Sequence, residues 1–145
     1  MKVSKKVDYG VRALVDLAQW YGKGPVQTID IAARQGIPES YLEQLLPTLN
    51  RFGFIHSRRG PQGGHVLAKS PNHISLGMVM AGLEGTTAAL ECITEPAECN
   101  LSSICAQRDV WKSVEDAVNS VLSATSIADL ADKQSQLQEQ SPSIA

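Results

Sequence analysis

The chain has 145 residues, of which 43% are hydrophobic, 19% charged and 5% aromatic. That is one domain, or one domain with an appendage, able to bury a real core. The aromatic content argues against a large β-sandwich, the 11 Gly and 7 Pro follow no collagen-like period, and no apolar run is long enough to cross a bilayer.

The net charge of −2 hides a division. Residues 1–69 hold ten Lys/Arg and five Asp/Glu, a net of +5. Residues 70–145 hold three Lys/Arg and ten Asp/Glu, a net of −7. A basic front half suits a polyanion, and an acidic back half does not. The opening is basic, but Asp8, Arg12 and Asp16 interrupt any signal-peptide apolar region, so a cytoplasmic protein is expected.

The first element is a helix over 4–20. Val7, Val11, Leu14, Val15 and Ala18 recur at three- and four-residue steps, one face of a 3.6-residue period, and Ser4 can cap it. Gly22, Gly24 and Pro25 end it. In the next helix Thr28 is the expected cap, Ile31 and Ala32 can bury, and Gly36 can close in a left-handed conformation. A third helix starts at about Pro38, a residue suited to a first helical position. Its inward face is Leu42, Leu45, Leu46 and Leu49. Pro47 predicts a kink or an early loosening, because an interior proline removes a ladder bond.

Residues 54–57 and 65–68 are short strand-like runs around the turn-rich segment 58–64. They predict a β-hairpin with Arg58 and Arg59 at an exposed tip. A short helix follows over 74–83, ended by Gly85. Residues 84–103 read as a loop with four glutamates. The longest periodic segment runs from about Ile104 to Ala124, with an apolar stripe of Val110, Val114, Ala117, Val118, Val121 and Leu122. Ser126 can cap one more turn, and the Gln/Ser-rich stretch 133–145 reads as disordered.

Helix, short helix, tight turn, helix and basic hairpin are the order of a winged helix-turn-helix. The fold class expected is mainly α with a small β-hairpin, a winged helix-turn-helix domain plus a long dimerisation helix. The division expected is a DNA-binding domain over 1–83, a cysteine-bearing loop over 84–105, a dimerisation helix region over 104–130 and a tail over 131–145. Ser40, Tyr41, Glu43 and Gln44 stand at the front of the second helix of the motif, where contact with base edges in the major groove is easiest. Arg58, Arg59 and Gly60 form a wing tip suited to phosphates or a narrow minor groove. Similar helices with a hairpin also occur in protein-binding modules.

The three cysteines, Cys92, Cys99 and Cys105, lie within fourteen residues. An odd number argues against a fully paired disulfide framework. The gaps are wider than the Cys-x2–4-Cys pairs of structural zinc sites. Three thiolates with wide gaps suit an iron–sulfur cluster with one site left for a different ligand. Structural thiols, a disulfide switch and zinc are the alternatives. No Ser/His/Asp set, phosphate-cradling loop or paired carboxylate pocket points to an enzyme, and His56, His65 and His73 read as loop or surface residues.

The opening segment 2–14, the segment 37–46 (Ile-Pro-Glu-Ser-Tyr-Leu-Glu-Gln-Leu-Leu), the wing 59–65 (Arg-Gly-Pro-Gln-Gly-Gly-His) and the three cysteines together resemble the iron–sulfur winged-helix regulators typified by IscR, NsrR and RirA. The resemblance covers about residues 1–130. It implies a homodimeric transcription regulator, a repressor, on a palindromic operator in double-stranded DNA, controlled by a cluster that senses iron, redox state or nitric oxide, with no membrane association. It puts Ser40, Tyr41, Glu43 and Gln44 at the major groove, Arg59 in the minor groove, and Cys92, Cys99 and Cys105 on the cluster. Two departures stand out. Arg108 occupies the position of the histidine that serves IscR-type members as fourth ligand. Asp8 matches the aspartate that NsrR-type members can use from the other subunit, which implies a four-iron cluster, with a two-iron cluster as the alternative. The other functional class is a small metal- or thiol-based redox or scaffold protein whose helical half binds a protein partner.

Overall fold

The computed structural model describes residues 2–85, 97 and 99–141. Among them are six α-helices and one two-stranded antiparallel sheet: α1 (Lys5–Gln19), α2 (Thr28–Gln35), α3 (Glu39–Arg51), β1 (Ile55–Arg58), β2 (Gly64–Leu67), a 3-10 turn (Pro71–His73), α4 (Leu76–Glu84), α5 (Arg108–Ala124) and α6 (Ile127–Gln140). The hairpin register pairs Ile55 with Leu67 and Arg58 with Gly64.

α1 is the centre of the packing, touched by α2, α3, α4, α6 and β2. Ser4 caps it by accepting from the Val7 N–H. Its buried residues Val7, Ala13, Leu14, Val15 and Leu17 join Ile31 of α2, the four leucines of α3, Phe54, Ile55 and Leu67 of the hairpin region, and Val79 and Leu83 of α4. Gly10 permits the close approach of α4: a Cβ there would lie 2.8 Å from Leu83 Cδ1. The helix-turn-helix is made as the sequence implies, with Gly36 left-handed at φ 64° between α2 and α3.

The core also holds a carboxylate. Asp16 of α1 is fully buried. Arg34 donates to both its oxygens at 2.9 Å, and the Gln35 side chain donates at 3.1 Å. The bond to Asp16 raises the Arg34 pKa above its ordinary value. Arg34 also stacks 5.1 Å from the Trp20 ring centroid. One polar cluster thus fastens the end of α2 to the last turn of α1.

Four local expectations are corrected. Pro38 caps α3 and does not open it, and the early loosening expected at Pro47 does not occur, since α3 continues through it to Arg51. Pro47 lies on the exposed side of α3, and the ladder bond it removes is the one to the Glu43 carbonyl. Thr28 does not cap α2: Gln27 holds the cap position with no side-chain hydrogen bond. The long apolar segment becomes helical only at Arg108, because turns occupy 100–104 and 106–107 ahead of it.

The tail is the largest departure. α6 continues to Gln140, where composition suggests disorder from residue 133. Ser126 and Asp129 form a reciprocal capping box at its start. Ile127 and Ala131 enter the core, and Gln19 of α1 donates to Ser135 Oγ at 3.1 Å and Gln138 Oε1 at 3.3 Å. The fold formed by α1 to α4 and the hairpin is therefore completed by a helix from the back half of the chain. The segments before α4 and α6 are joined by backbone bonds, Leu76 N–H to Thr125 O and Ile127 N–H to Ile74 O, each 2.8 Å.

Removing Arg34 leaves Asp16 buried with only Gln35, whereas removing the Asp16 charge leaves an arginine that reaches water. Denaturant titration should show Arg34→Ala costing about 3 kcal/mol and Asp16→Asn less, about 1–2 kcal/mol. Equal costs would contradict the asymmetry.

Candidate nucleic-acid interface and cysteine segment

α3 meets solvent along one polar face. Ser40, Glu43 and Gln44 are exposed, because Leu42, Leu45, Leu46 and Leu49 take the opposite side into the core. Tyr41 differs from the other three. It is half-buried, its ring edge-on to Tyr9 of α1 with centroids 5.3 Å apart. Tyr41 and Gln44 line a small cavity of about 170 Å³ with Lys6 of α1. Arg12 lies 5.5 Å from the Tyr9 centroid on the same side of the molecule.

The wing stands beside α3. Arg58 ends β1, and Arg59 and Gly60 are exposed in the turn. Gly60 adopts φ +100° and its carbonyl accepts from the Gly63 N–H at 2.9 Å. A Cβ on Gly63 would fall 2.1 Å from the Arg58 carbonyl oxygen, so only glycine lets the turn close. Between wing and α3 lies a cleft of about 410 Å³, with Glu43 on one wall and Arg58 and Arg59 on the other. Sequence reasoning anticipated these three residues but not that they share one cleft.

It also missed what holds the wing in place. Gln27 donates to the Gly63 carbonyl at 2.6 Å. The backbones of Val26 and His65 exchange two bonds, 3.0 and 2.8 Å. His65 is half-buried, with Thr28 Oγ1 at 2.9 Å from Nε2 and Ser57 Oγ at 2.8 Å from Nδ1. Burial lowers its pKa below the ordinary histidine value. Both residues that could have capped α2 thus spend their side chains on the wing. His65 is therefore not the loose loop residue its sequence position suggests. Strand register would have paired it with Ser57; nothing local to the sequence announces Thr28.

Cys99 and Cys105 are half-buried free thiols. Two turns connect them, with Ser102 N–H donating to Cys99 O and Ile104 N–H to Leu101 O, and α5 opens three residues after Cys105. Two thiols are the donor type a thiolate-held cluster would use, and the positive end of α5 would favour negative charge on them. Cys92 lies outside the described residues. Among those described, no group of three His, Cys, Asp or Glu side chains gathers as a metal site. Asp8 is half-exposed and engaged within its own chain: Arg12 holds one oxygen at 2.9 Å and the other at 3.3 Å. Arg12 therefore competes for the oxygens that ligation by Asp8 would use. No described helix is long and apolar enough to cross a membrane.

Comparison with known proteins bears on the whole of this arrangement. Residues 3–133 match the Rrf2 family, described as an iron-dependent transcriptional regulator. The chain is 35% identical over 130 residues to the HTH-type transcriptional regulator IscR of Pectobacterium carotovorum, covering 90% of this chain and 79% of that one. Among solved structures, IscR of T. potens superposes with a TM-score of 0.74 at 38% identity, over 95% of this chain and 91% of that one. CymR, the global cysteine regulator of B. subtilis, superposes with a TM-score of 0.76 at 35% identity, over 92% of this chain and 98% of that one. These relatives are transcriptional regulators and not enzymes. The polar helix face, the basic wing and the paired likenesses have one common meaning: the chain belongs to the Rrf2 family of winged helix-turn-helix transcriptional regulators.

Proposed function

We propose that the chain is a homodimeric repressor whose operator affinity is set by an iron–sulfur cluster that reports iron supply, redox state or nitric oxide. The observation that carries it is the pair of half-buried free thiols, Cys99 and Cys105, set directly ahead of an exposed helix in a chain whose other half presents a polar helix face beside a basic wing. Cys92, Cys99 and Cys105 are the cluster ligands, and Asp8, contributed across the dimer, is the fourth. A corner held by a carboxylate exchanges iron, electrons or nitric oxide more readily than a corner held by a thiolate. This fourth ligand suits a four-iron cluster, with a two-iron cluster as the alternative. The iron dependence in the family's description and the likeness to IscR support this reading.

α5 supports the dimer. Val110 is 62% exposed and Val121 66% exposed, and Val114 lies between them on the same stripe. α5 has no buried residue of its own. An apolar stripe of this length calls for a partner surface, and a second α5 supplies one with matching spacing. Two copies present two α3 helices, so the operator is palindromic.

On the DNA, Ser40, Glu43 and Gln44 read base edges in the major groove, where Gln can pair bidentately with adenine and a carboxylate can accept from cytosine N4. Tyr41, braced by Tyr9, adds its hydroxyl from the edge of that face. Arg58, Arg59 and Gly60 take the neighbouring minor groove and its phosphates. The cysteine segment lies between α4, which packs on α1, and α5, which sets the distance between protomers. Ordering that segment therefore biases the spacing of the two reading heads.

Anaerobically purified protein should be brown and contain iron and sulfide in equal amounts, and Cys99→Ala should be colourless. Iron-free wild-type protein would end the cluster reading. On a duplex selected from a random-sequence pool by the wild-type protein, Arg59→Ala should weaken binding and reduce the salt slope by about one per protomer. Gly63→Ala should weaken binding with helix content unchanged by circular dichroism. Undiminished affinity in both variants would show that the wing makes no contact.

A further inference from the structure

The cleft between α3 and the wing has a feature that groove reading does not use. His65 lines it together with Thr28, Ser57, Glu43, Arg58 and Arg59. Its ring cannot turn freely, because each nitrogen is held by a different hydroxyl, one from the start of α2 and one from β1, and its backbone is bonded on both sides to Val26.

A helix in the major groove and a hairpin in the next minor groove straddle one sugar–phosphate strand. That strand must pass over the cleft between them. The proposal rests on the DNA-binding reading above and adds a site to it. We propose that this cleft binds a backbone phosphodiester through the Thr28 and Ser57 hydroxyls, aligned by His65, and that seating the phosphate places a proton on the imidazole.

The hydrogen-bond count gives the reason. A neutral imidazole has one N–H and one lone pair. It donates to one hydroxyl and accepts from the other, so one of the two O–H protons is spent on the ring. A cationic imidazole donates from both nitrogens. Both hydroxyls then accept, and both O–H protons are free for phosphate oxygens. Proton uptake thus adds a second hydroxyl donor and a positive charge beneath the same anion.

The surroundings set the direction. Around the ring stand Arg58 and Arg59 on the wing, Glu43 on α3, the N-terminal end of α2 at Thr28, and Tyr21 beyond α1 on the ring's other side. His56 is on the neighbouring strand, paired with Val66 and not with His65. Two arginines and a helix N-terminus disfavour a third positive charge, and Glu43 offsets them in part. Burial works in the same direction as the arginines and lowers the His65 pKa. The ring of the free protein is therefore neutral at pH 7. A phosphodiester over the cleft neutralises the arginines and raises the histidine's pKa. A group whose pKa rises on binding takes up a proton, so affinity increases as pH falls between the two values, tenfold for each unit of separation.

The test uses full-length protein and the selected duplex, with fluorescence anisotropy from pH 5.5 to 8 at fixed ionic strength. Wild type should bind about tenfold more tightly at pH 5.5 than at pH 7.5. His65→Gln, which keeps hydrogen-bonding capacity without a titrating proton, should flatten that dependence, and His56→Gln should leave it intact. Thr28→Val should weaken binding and also reduce the dependence. Parallel pH profiles for wild type and His65→Gln would overturn the proposal. Should His65→Gln fail to fold, NMR titration of the wild-type imidazole decides: a pKa that rises on adding the duplex supports the site, and an unchanged pKa overturns it. Wild-type protein that binds no duplex at any pH in low salt would overturn the DNA-binding reading along with the site.

Discussion

A carboxylate with no access to water sits at the centre of this molecule, and it must be satisfied from within. Asp16 obtains two bonds from Arg34 and one from Gln35, and that requirement fixes α2 against α1. From this fixture the reading apparatus extends in two directions. Past its far end, Gly36 turns the chain into α3. At its near end, Gln27 and Thr28 grip the wing through Gly63 and His65. Both α3 and the wing therefore take their position from one helix, which takes its own from α1. An apolar pair in place of Asp16 and Arg34 would cost less desolvation, but it would lack the directionality that five heavy atoms in fixed geometry provide.

α1 is also where the back half of the chain arrives. α6 packs along it, with Gln19 tied to the last turns of α6, and α4 approaches it at Gly10. Ser4, which caps α1, is hydrogen-bonded to Glu84 at the end of α4. The cysteine segment begins beyond α4 and ends at α5. α4 before that segment packs directly on the same central helix as α2, α3 and α6. The charge division follows the same line. The basic half carries the wing and α3, and the acidic half carries α5 and α6, where a polyanion has no place.

Much of this was legible in the chain. The three- and four-residue spacing of Val7, Leu14, Leu42, Leu45 and Leu49 reports burial directly, since a helix must hide that face. Gly36 and the glycines of the wing mark turns whose backbone only glycine adopts cheaply. What escaped was long-range. Asp16 stands among buried neighbours in α1, which signals a buried pair, but its partner is 18 residues away. The link between Thr28 and His65 spans 37 residues, and local reasoning assigned both residues to other duties. α6 was hidden by its composition: Gln and Ser suggest solvation, yet Ser126 caps it and Ile127 and Ala131 fit a groove that exists only once α1 is in place. The cysteines were visible as a cluster, while the Asp8–Arg12 pair that competes with ligation appears only in three dimensions.

The central claim is that an inorganic cofactor on the cysteine segment governs how a paired reading head sits on its duplex. The most direct measurement is operator affinity under anaerobic conditions, before and after the iron is stripped by a chelator, at one salt concentration and one pH. A change of at least about tenfold, or 1.4 kcal/mol, is expected, and iron and sulfide reconstitution should reverse it. Identical affinities for the loaded and stripped protein would contradict the claim.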